Sequence, residues 1–560
     1  MAISHFSAKL RGHILQEMAS NVLDLLVIGG GITGAGIVWD ASLRGLRCGL
    51  VEMGDFASGT SSRSTKLVHG GLRYLKQGEV KLVMEVGRER ALLHRNAPHV
   101  VIPEPMLLPI YKGGTFGYWM SSVGLYVYDL LAGVKRKERR RMYRRNATIK
   151  LEPLFKQDLL IGSGYYYEYR TDDARLTAEV MKTAVAHGAH AVNYTKASEF
   201  LYKDGRVVGI RATDVLSGET YDIYAKKIVN AAGPWVDRVR QMDNSLKGKR
   251  LLLTKGVHLV VDYNRLPIRQ AAYFDVPDGR MIFVIPRDGK TYIGTTDTVY
   301  KEQIEDTQAT AEDRDYLLHA TNAAFPEVKL TTADVESCWA GLRPLIYEEG
   351  KGPSEISRKD EIFVSDSGLI TIAGGKLTGF RKMAEKVVDL TVKLLSEQNG
   401  SRYLPCATAT DVLSGGNCDG FDHFDQFKKV LSMGGVKIGI EERTATLLAS
   451  RYGSNVNDLF QLYEGALAQA GSPEEAALMA EVTYGIEREM AVCAVDFLIR
   501  RTGMLLFDRP RAEKIKDDVI RLMGDALGWD AAERERQSAE VDRQLALVKE
   551  FPHEKAAAKT

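Results

Sequence analysis

The sequence predicts an α/β protein whose C-terminal part is α-helical. Three observations carry this expectation. Near its start the chain has a short apolar strand, a glycine-rich turn and a helix, which lead into a second strand ending at Glu52. Strand and helix signals then alternate through the middle of the chain. Beyond about Ser401 the apolar residues recur at helical spacing and strand signals become few.

Composition bounds the reading. A chain of 560 residues exceeds one ordinary hydrophobic core, which predicts two or three domains. Hydrophobic residues at 45% and charged residues at 26% have the balance of a soluble globular protein. A formal net charge of +2 gives no electrostatic footprint for nucleic acid. Cys48, Cys338, Cys406, Cys418 and Cys493 are widely spaced and form no C-x-x-C pair. That usage points to a reduced, intracellular protein without a structural metal site. Met1 to Ser20 lacks the uninterrupted apolar core of a secretory signal. Phe116 to Val134 carries one charge, Asp129, and approaches the length of a membrane span. Its glycines, serines and aspartate weaken a span, so the expectation is a buried helix.

Each element has a local cause. Asp24 to Gly29 reads DLLVIG, an apolar strand. The helix after it runs to Arg44, where Gly45 suits the left-handed position that closes a helix. Cys48 to Glu52 is the second strand. Thr177 to His187 is predicted helical, with Asp172 or Asp173 as its cap. Arg206 to Asp214 and Glu219 to Ile223 pair around Ser217 and Gly218, and Lys227 to Ala231 forms another apolar strand. Arg280 to Pro286 and Lys290 to Thr295 make a hairpin around Asp288 and Gly289. Glu441 to Tyr452, Glu474 to Leu498, Arg511 to Leu527 and the charged stretch Ala531 to Glu550 are predicted helices of a separate domain. Lys555 to Thr560 reads as a frayed tail.

Gly29-Gly30-Gly31-Ile32-Thr33-Gly34 satisfies the G-x-G-x-x-G pattern. Gly29 permits the tight turn, Gly31 lets a pyrophosphate approach the backbone, and Gly34 allows close packing of helix on strand. The pyrophosphate of a dinucleotide then sits at the helix N-terminus. Glu52 ends the next strand, where a carboxylate accepts hydrogen bonds from ribose hydroxyls. The glycines do not separate FAD from NAD. The polar, glycine-rich segment GTSSRSTKLVHGGLRYLK from Gly59 to Lys76 does, because a flavin must be gripped along its length.

This segment, together with VNAAGPW ending at Trp235, KGVHLVV from Lys255, FVIPRDGKTYIGTTDT from Phe283, WAGLRPL from Trp339 and AGGKLTGFRKMAE from Ala373, resembles the FAD-dependent, quinone-linked glycerol-3-phosphate dehydrogenases. The resemblance covers Leu23 to Ser396, and the helical tail is similar to that family's C-terminal domain. It implies an FAD-binding Rossmann-like domain of the D-amino-acid-oxidase type, a mixed-sheet substrate cap and an α-helical C-terminal domain. The catalytic region would span 22–396, with the cap at about 80–160 and 240–350, and the helical domain 401–550. Cofactor contacts are expected from Gly29, Gly31, Ile32, Thr33, Gly34, Glu52, Thr60, Ser61, Ser62, Lys66, His69, Gly70 and Leu72. Ala232, Gly233 and Trp235 would line the cofactor. Gly374 and Gly375 would form a second close backbone approach, ahead of a helix carrying Lys376, Leu377 and Thr378.

The implied reaction takes a hydride from C2 of glycerol 3-phosphate to FAD and a proton from its hydroxyl, giving dihydroxyacetone phosphate. A phosphate dianion needs cations, and the resemblance points to Arg73, Arg343, Arg358 and Lys376, with Tyr74 beside them. His258 is the expected proton acceptor. It lies in an apolar strand, so the alternative is a hydrogen-bonded core histidine; His69 is the other imidazole in reach, read as a flavin contact.

The resemblance also implies electron transfer to membrane quinone and allows a homodimer. Lys135 to Arg145 holds a dense basic run, which suits anionic lipid headgroups. The expected location is the cytoplasm, with peripheral attachment to the inner face of the cell membrane. Three alternatives remain: an oxidase that makes hydrogen peroxide, an amine or amino-acid oxidase, and a non-catalytic flavin sensor. Leu345 to Ile362 is short, whereas related oxidases carry a long insertion there, which favours the dehydrogenase.

Overall fold

The structure, a computed structural model, describes residues 6–70, 80–114, 117–131, 138–348, 360–418, 420–421 and 423–553. Leu23–Ile28 is buried along its whole length, as expected of a parallel strand covered on both faces. Burying Leu25, Leu26 and Val27 completely contributes about 1.5–3 kcal/mol each. Among the described residues this strand is central to an eight-stranded sheet ordered Glu361–Val364, Ile370–Ala373, Thr220–Asn230, Leu23–Ile28, Cys48–Val51, His190–Val192, with the hairpin Thr195–Lys203 and Arg206–Asp214 attached. Ile28 stands level with Val51 on one side and Asn230 on the other, so three strands end together. That shared edge is where an open parallel sheet binds ligands.

Helix Ile32–Leu43 lies on this sheet and is buried at Ala35, Ile37, Val38 and Trp39. Helix Asp173–Ala186 begins at its cap, Asp172, whose side chain accepts from the Arg175 amide at 3.0 Å. It therefore starts four residues earlier than apolar spacing indicates.

A ten-stranded mixed sheet forms the second layer among the described residues. Its longest pairings join Lys249–Asp262 with Val335–Glu348, and Val101–Tyr111 with Leu160–Thr171. The expected hairpin is present as Met281–Arg287 and Lys290–Gly294.

Three expectations change. The two strands read at Glu219 to Ile223 and Lys227 to Ala231 are one strand, Thr220–Asn230. Its first half pairs antiparallel with Arg206–Asp214 and its second half parallel with Leu23–Ile28. The charged residues that seemed to divide it include Lys226, whose ammonium pairs with Asp24 at 2.7 Å. Helix Tyr118–Leu131 is not buried: Trp119, Met120, Val123 and Tyr126 are exposed, while Ser121, Leu125 and Tyr128 face inward. No described helix is long and apolar enough to cross a membrane. The predicted helix Glu474 to Leu498 stops at Glu489, because Met490 is left-handed at φ +50°, and a π-helical turn follows at Asp496–Arg501. The C-terminal helices pack against the second sheet. Leu478, Val482, Ile486 and Phe507 share one hydrophobic cluster with Met106, Tyr166, Tyr292 and Trp339. Helix Arg11–Ser20, which the sequence reading missed, is anchored by Arg11 pairing with Asp214 at 3.0 Å.

Candidate active site

A cavity of about 710 Å³ runs from the shared strand edge of the first sheet to the face of the second. At the first end Gly29 has φ +115°, and a Cβ there would lie 2.5 Å from the Ala231 carbonyl oxygen. A Cβ on Gly34 would overlap the Gly29 oxygen, so helix and strand meet only because both residues are glycine. The Ile32 amide, at the start of the helix, donates to the Ser61 hydroxyl at 2.9 Å. Glu52 accepts from the Gly30 amide at 2.6 Å and the Gly54 amide at 2.8 Å. Burial pushes its carboxyl above the usual range, against the pull of those two amides. The loop is tied back to the turn by the Ala57 amide, which donates to the Gly30 oxygen at 3.0 Å.

At the other end His258 is 1% exposed and its ring stacks on Trp339 at 4.8 Å. Its Nε2 lies 3.1 Å from the Thr65 hydroxyl. Burial holds its pKa well below 6.5, helped by the charges of Arg343 and Lys66, so the imidazole is neutral near pH 7. Strand Lys290–Gly294 makes room for it: a Cβ on Gly294 would overlap the ring. Arg343 projects from the neighbouring strand Val335–Glu348 and donates to the Thr296 oxygen at 3.2 Å and the Thr295 hydroxyl at 3.0 Å. It also pairs with Asp297 at 3.3 Å. A Cβ on Gly256 would overlap its guanidinium. His69 meets Phe283 edge-on at 5.8 Å, and burial followed by the Lys376 charge brings its pKa down to about 3. Thr378 bridges the two walls, its hydroxyl accepting from the His69 amide and donating to the His69 oxygen, each at 3.1 Å.

Gly29, Gly31, Ile32, Thr33, Glu52, Thr60, Ser61, His69, Ala232, Gly233, Trp235, His258, Arg343, Gly375, Lys376, Leu377 and Thr378 all line this one cavity. Gly34, Ser62, Lys66 and Gly70 do not. Gly34 acts through packing. Lys66 is instead buried in an ion pair with Asp173 at 2.5 Å and donates to the Ser62 oxygen at 3.0 Å. The Gly70 amide donates to the Tyr128 hydroxyl at 3.1 Å. Lys376 precedes a short 3-10 turn, Leu377–Gly379, and the long helix begins only at Phe380, so the two left-handed glycines before it lead into a turn and not directly into a helix. Leu72, Arg73, Tyr74 and Arg358 lie outside the described residues, as do 135–137 of the basic run. The sequence reading missed Arg63 and Thr65, and the Thr195–Ser198 wall. Arg63 and Thr65 belong to the quoted GTSSRSTK segment and Thr295 to Asp297 to the quoted GTTDT; the Thr195 wall carries no motif. Burial pushes the Arg63 guanidinium down to about 10, with the Arg500 charge adding to the effect.

The family models agree with this geometry. One described as FAD dependent oxidoreductase matches residues 24–381, and one described as the C-terminal domain of alpha-glycerophosphate oxidase matches 406–534. An aerobic glycerol-3-phosphate dehydrogenase of Bacillus subtilis (strain 168) is 54% identical over 541 residues, which is 96% of this chain and 98% of that protein. The chain belongs to the aerobic glycerol-3-phosphate dehydrogenase family. Another family member, from Staphylococcus aureus (strain bovine RF122 / ET3-1), is 51% identical over 559 residues, covering 99% of this chain and 98% of that protein. The solved glycerol-3-phosphate dehydrogenase from Bacillus halodurans, complexed with FAD, superposes with a TM-score of 0.85 at 47% identity. It covers 98% of this chain and 100% of its own. An L-alpha-glycerophosphate oxidase from Mycoplasma pneumoniae, at 18% identity and a TM-score of 0.53, shares the fold.

As a member of this dehydrogenase family the chain is an oxidoreductase with FAD as cofactor. The residues present fit that group. A glycine cradle that a Cβ would fill, a helix amide already facing an oxygen and a half-buried carboxylate occupy one end of the cavity. The remainder of the cavity, lined by His69, His258, Phe283 and Gly375, has room for a flavin.

Proposed function

We propose that this chain oxidises sn-glycerol 3-phosphate to dihydroxyacetone phosphate and passes the electrons to a membrane quinone. One observation carries the substrate: Arg343 and Lys376 line the same cavity as the neutral imidazole of His258, and the Arg343 charge acts on that ring. When bound, FAD supplies the hydride acceptor. Arg343 offers a planar fork, preset by Thr295, Thr296 and Asp297, for phosphate oxygens. Lys376 adds a second charge, and Arg73, Tyr74 and Arg358 belong to the same proposal. Burial and, after it, the charges of Arg343 and Lys66 keep His258 from protonating; a bound dianion beside Arg343 offsets the second of these, so the imidazole takes the C2 hydroxyl proton as hydride leaves. Glu52 holds the adenosine ribose; Ser61 and Thr60 flank the pyrophosphate. The second-sheet segments at 80–160 and 240–350 form the substrate cap, and 401–550 the helical domain.

The acceptor reading is supported by the surface. Trp119 is 74% and Met120 67% exposed on helix Tyr118–Leu131, an apolar face next to Arg139–Arg145. Arg144 lies over the Tyr118 ring at 4.7 Å and Arg140 over Tyr126 at 5.5 Å, so cations and aromatics meet as they do at a lipid interface. The deciding experiment is anaerobic reduction of the holoenzyme with glycerol 3-phosphate, followed by parallel reoxidation with a soluble quinone and with oxygen. Bleaching of the flavin followed by faster quinone turnover is expected. No bleaching overturns the substrate; stoichiometric peroxide at a matching rate makes the enzyme an oxidase, the reading favoured by the match of its C-terminal region to an oxidase domain.

A further inference from the structure

The loop that carries Glu52 is gripped by residues from the far end of the chain. Asp55 is 1% exposed and three positions beyond Glu52. Its Oδ2 accepts from Arg500 Nε at 2.5 Å and from Arg501 Nη1 at 2.7 Å. Its Oδ1 accepts from Arg501 Nη2 at 2.8 Å and Asn193 Nδ2 at 3.0 Å. Four donors on one carboxylate fill its hydrogen-bonding capacity. Both arginines belong to the π-helical turn Asp496–Arg501, closed by the Thr502 amide donating to the Phe497 oxygen at 3.0 Å. Consecutive residues of an α-helix diverge by about 100°; here two neighbours converge on one acid. Widened turns of this kind cluster at functional sites. The turn is itself fixed: Asp496 accepts from Arg500 at 2.6 Å and from the Tyr194 hydroxyl at 2.7 Å.

On its other side Asp55 sits inside the backbone that shapes the nucleotide end. The Gly54 amide holds one Glu52 oxygen, and the Ala57 amide holds the Gly30 carbonyl. The Tyr194 amide donates to the Gly54 oxygen at 2.8 Å, and the Thr195 amide to the Glu52 oxygen at 2.7 Å. Every atom that aims the Glu52 carboxylate is within two residues of Asp55 or bonded to its neighbours. Two arginine charges also neutralise Asp55, which would otherwise repel an ionised Glu52 nearby.

We infer that the C-terminal helical region is a clamp on the adenosine end of the FAD site, acting through Asp55 as a positioning residue. This rests on the reading that Glu52 meets the nucleotide. The test measures FAD release from diluted holoenzyme by recovery of flavin fluorescence, and the flavin midpoint potential in the protein that stays loaded. Asp55→Asn and Arg501→Gln are each expected to weaken FAD at least tenfold, with the double variant no worse than either single one. Arg501→Lys should restore part of the loss. The midpoint potential should stay at the parent value, because the ring end is untouched. Leu448→Ala, a core truncation in the same helical region, should lower thermal stability and leave FAD affinity unchanged. FAD affinity within twofold of parent in both Asp55→Asn and Arg501→Gln overturns the clamp. So does an equal loss in Leu448→Ala, which would show general loosening. Glu52→Gln separates the two readings: normal FAD retention there removes Glu52 and the clamp together, whereas loss there with a normal Asp55→Asn removes the clamp alone.

Discussion

At the scale of single residues, burial decides what each ionisable group can do. His258 is an inward-facing side chain on a strand, and position alone left open whether it was a base or a core histidine. Its Nδ1 is buried without a hydrogen-bond partner and its Nε2 faces Thr65, so a proton added to the ring has little to stabilise it until an anion arrives. His258→Asn is therefore expected to slow anaerobic flavin reduction by two or more orders of magnitude, in the range of about 10²–10⁴ for general-base loss, while product binding changes little. A normal reduction rate would hand the proton to another group. Arg343→Ala should lower kcat/KM by the equivalent of about 2–5 kcal/mol in transition-state free energy and leave the flavin bound, since the bound anion loses its charged partner. Kinetics close to the parent would make Arg343 a structural residue of the Asp297 pair. Glu52→Ala should keep its fold and shed FAD on dilution; full retention of flavin after gel filtration would remove Glu52 from the site.

At the scale of elements, local signals were readable wherever the cause was local. The strand from Asp24, the glycine turn, helix Ile32–Leu43 and the Asp288–Gly289 hairpin follow from spacing and turn chemistry alone. Strand Thr220–Asn230 was split in reading because charge in its middle looks like a break; only Asp24, from another strand, explains it. Lys66 looked like a cofactor ligand by its place in a polar motif, and the buried Asp173 that claims it comes from helix Asp173–Ala186. The Tyr118–Leu131 helix was misjudged for a similar reason: its composition is apolar, but which face packs depends on strand Leu160–Thr171 and Arg90 behind it. Serine at both Trp119 and Met120 should change unfolding stability by no more than about 0.5 kcal/mol, as for other exposed sites. The same change should abolish sedimentation with anionic vesicles. Parent binding should weaken as salt rises, because headgroup attraction is screened within about 8 Å at physiological ionic strength. Unchanged vesicle binding by the double variant would discard this helix as the contact.

At the scale of the whole molecule, acid sensitivity reports on packing between distant parts. His99 is 3% exposed and lies against the Gly415 and Gly453 backbone. Burial, then the charges of Lys182 and Arg175, brings its pKa down to about 3. The unfolded chain titrates this imidazole near 6.5, so between those values it binds the extra proton and stability falls as pH falls. The loss is on the order of 2 kcal/mol at pH 5 for one such group. Urea unfolding of His99→Gln between pH 7 and 5 should show a shallower slope than the parent; equal slopes would assign the acid sensitivity elsewhere. The order of strands has another consequence. Ile370–Ala373 enters the first sheet beside Thr220–Asn230, after the chain has laid down nearly all of the second sheet. Gly374, Gly375 and Lys376 follow it directly into the cavity wall. During synthesis from the N-terminus, the glycine turn and Glu52 leave the ribosome early, yet the pocket they open cannot close around a cofactor until that late strand arrives. Asp55 waits longer still, a buried acid whose two arginines lie 445 and 446 residues further along the chain. If the clamp holds the cofactor, flavin loading waits for Arg500 and Arg501, and a chain truncated before Arg500 should emerge from the cell colourless.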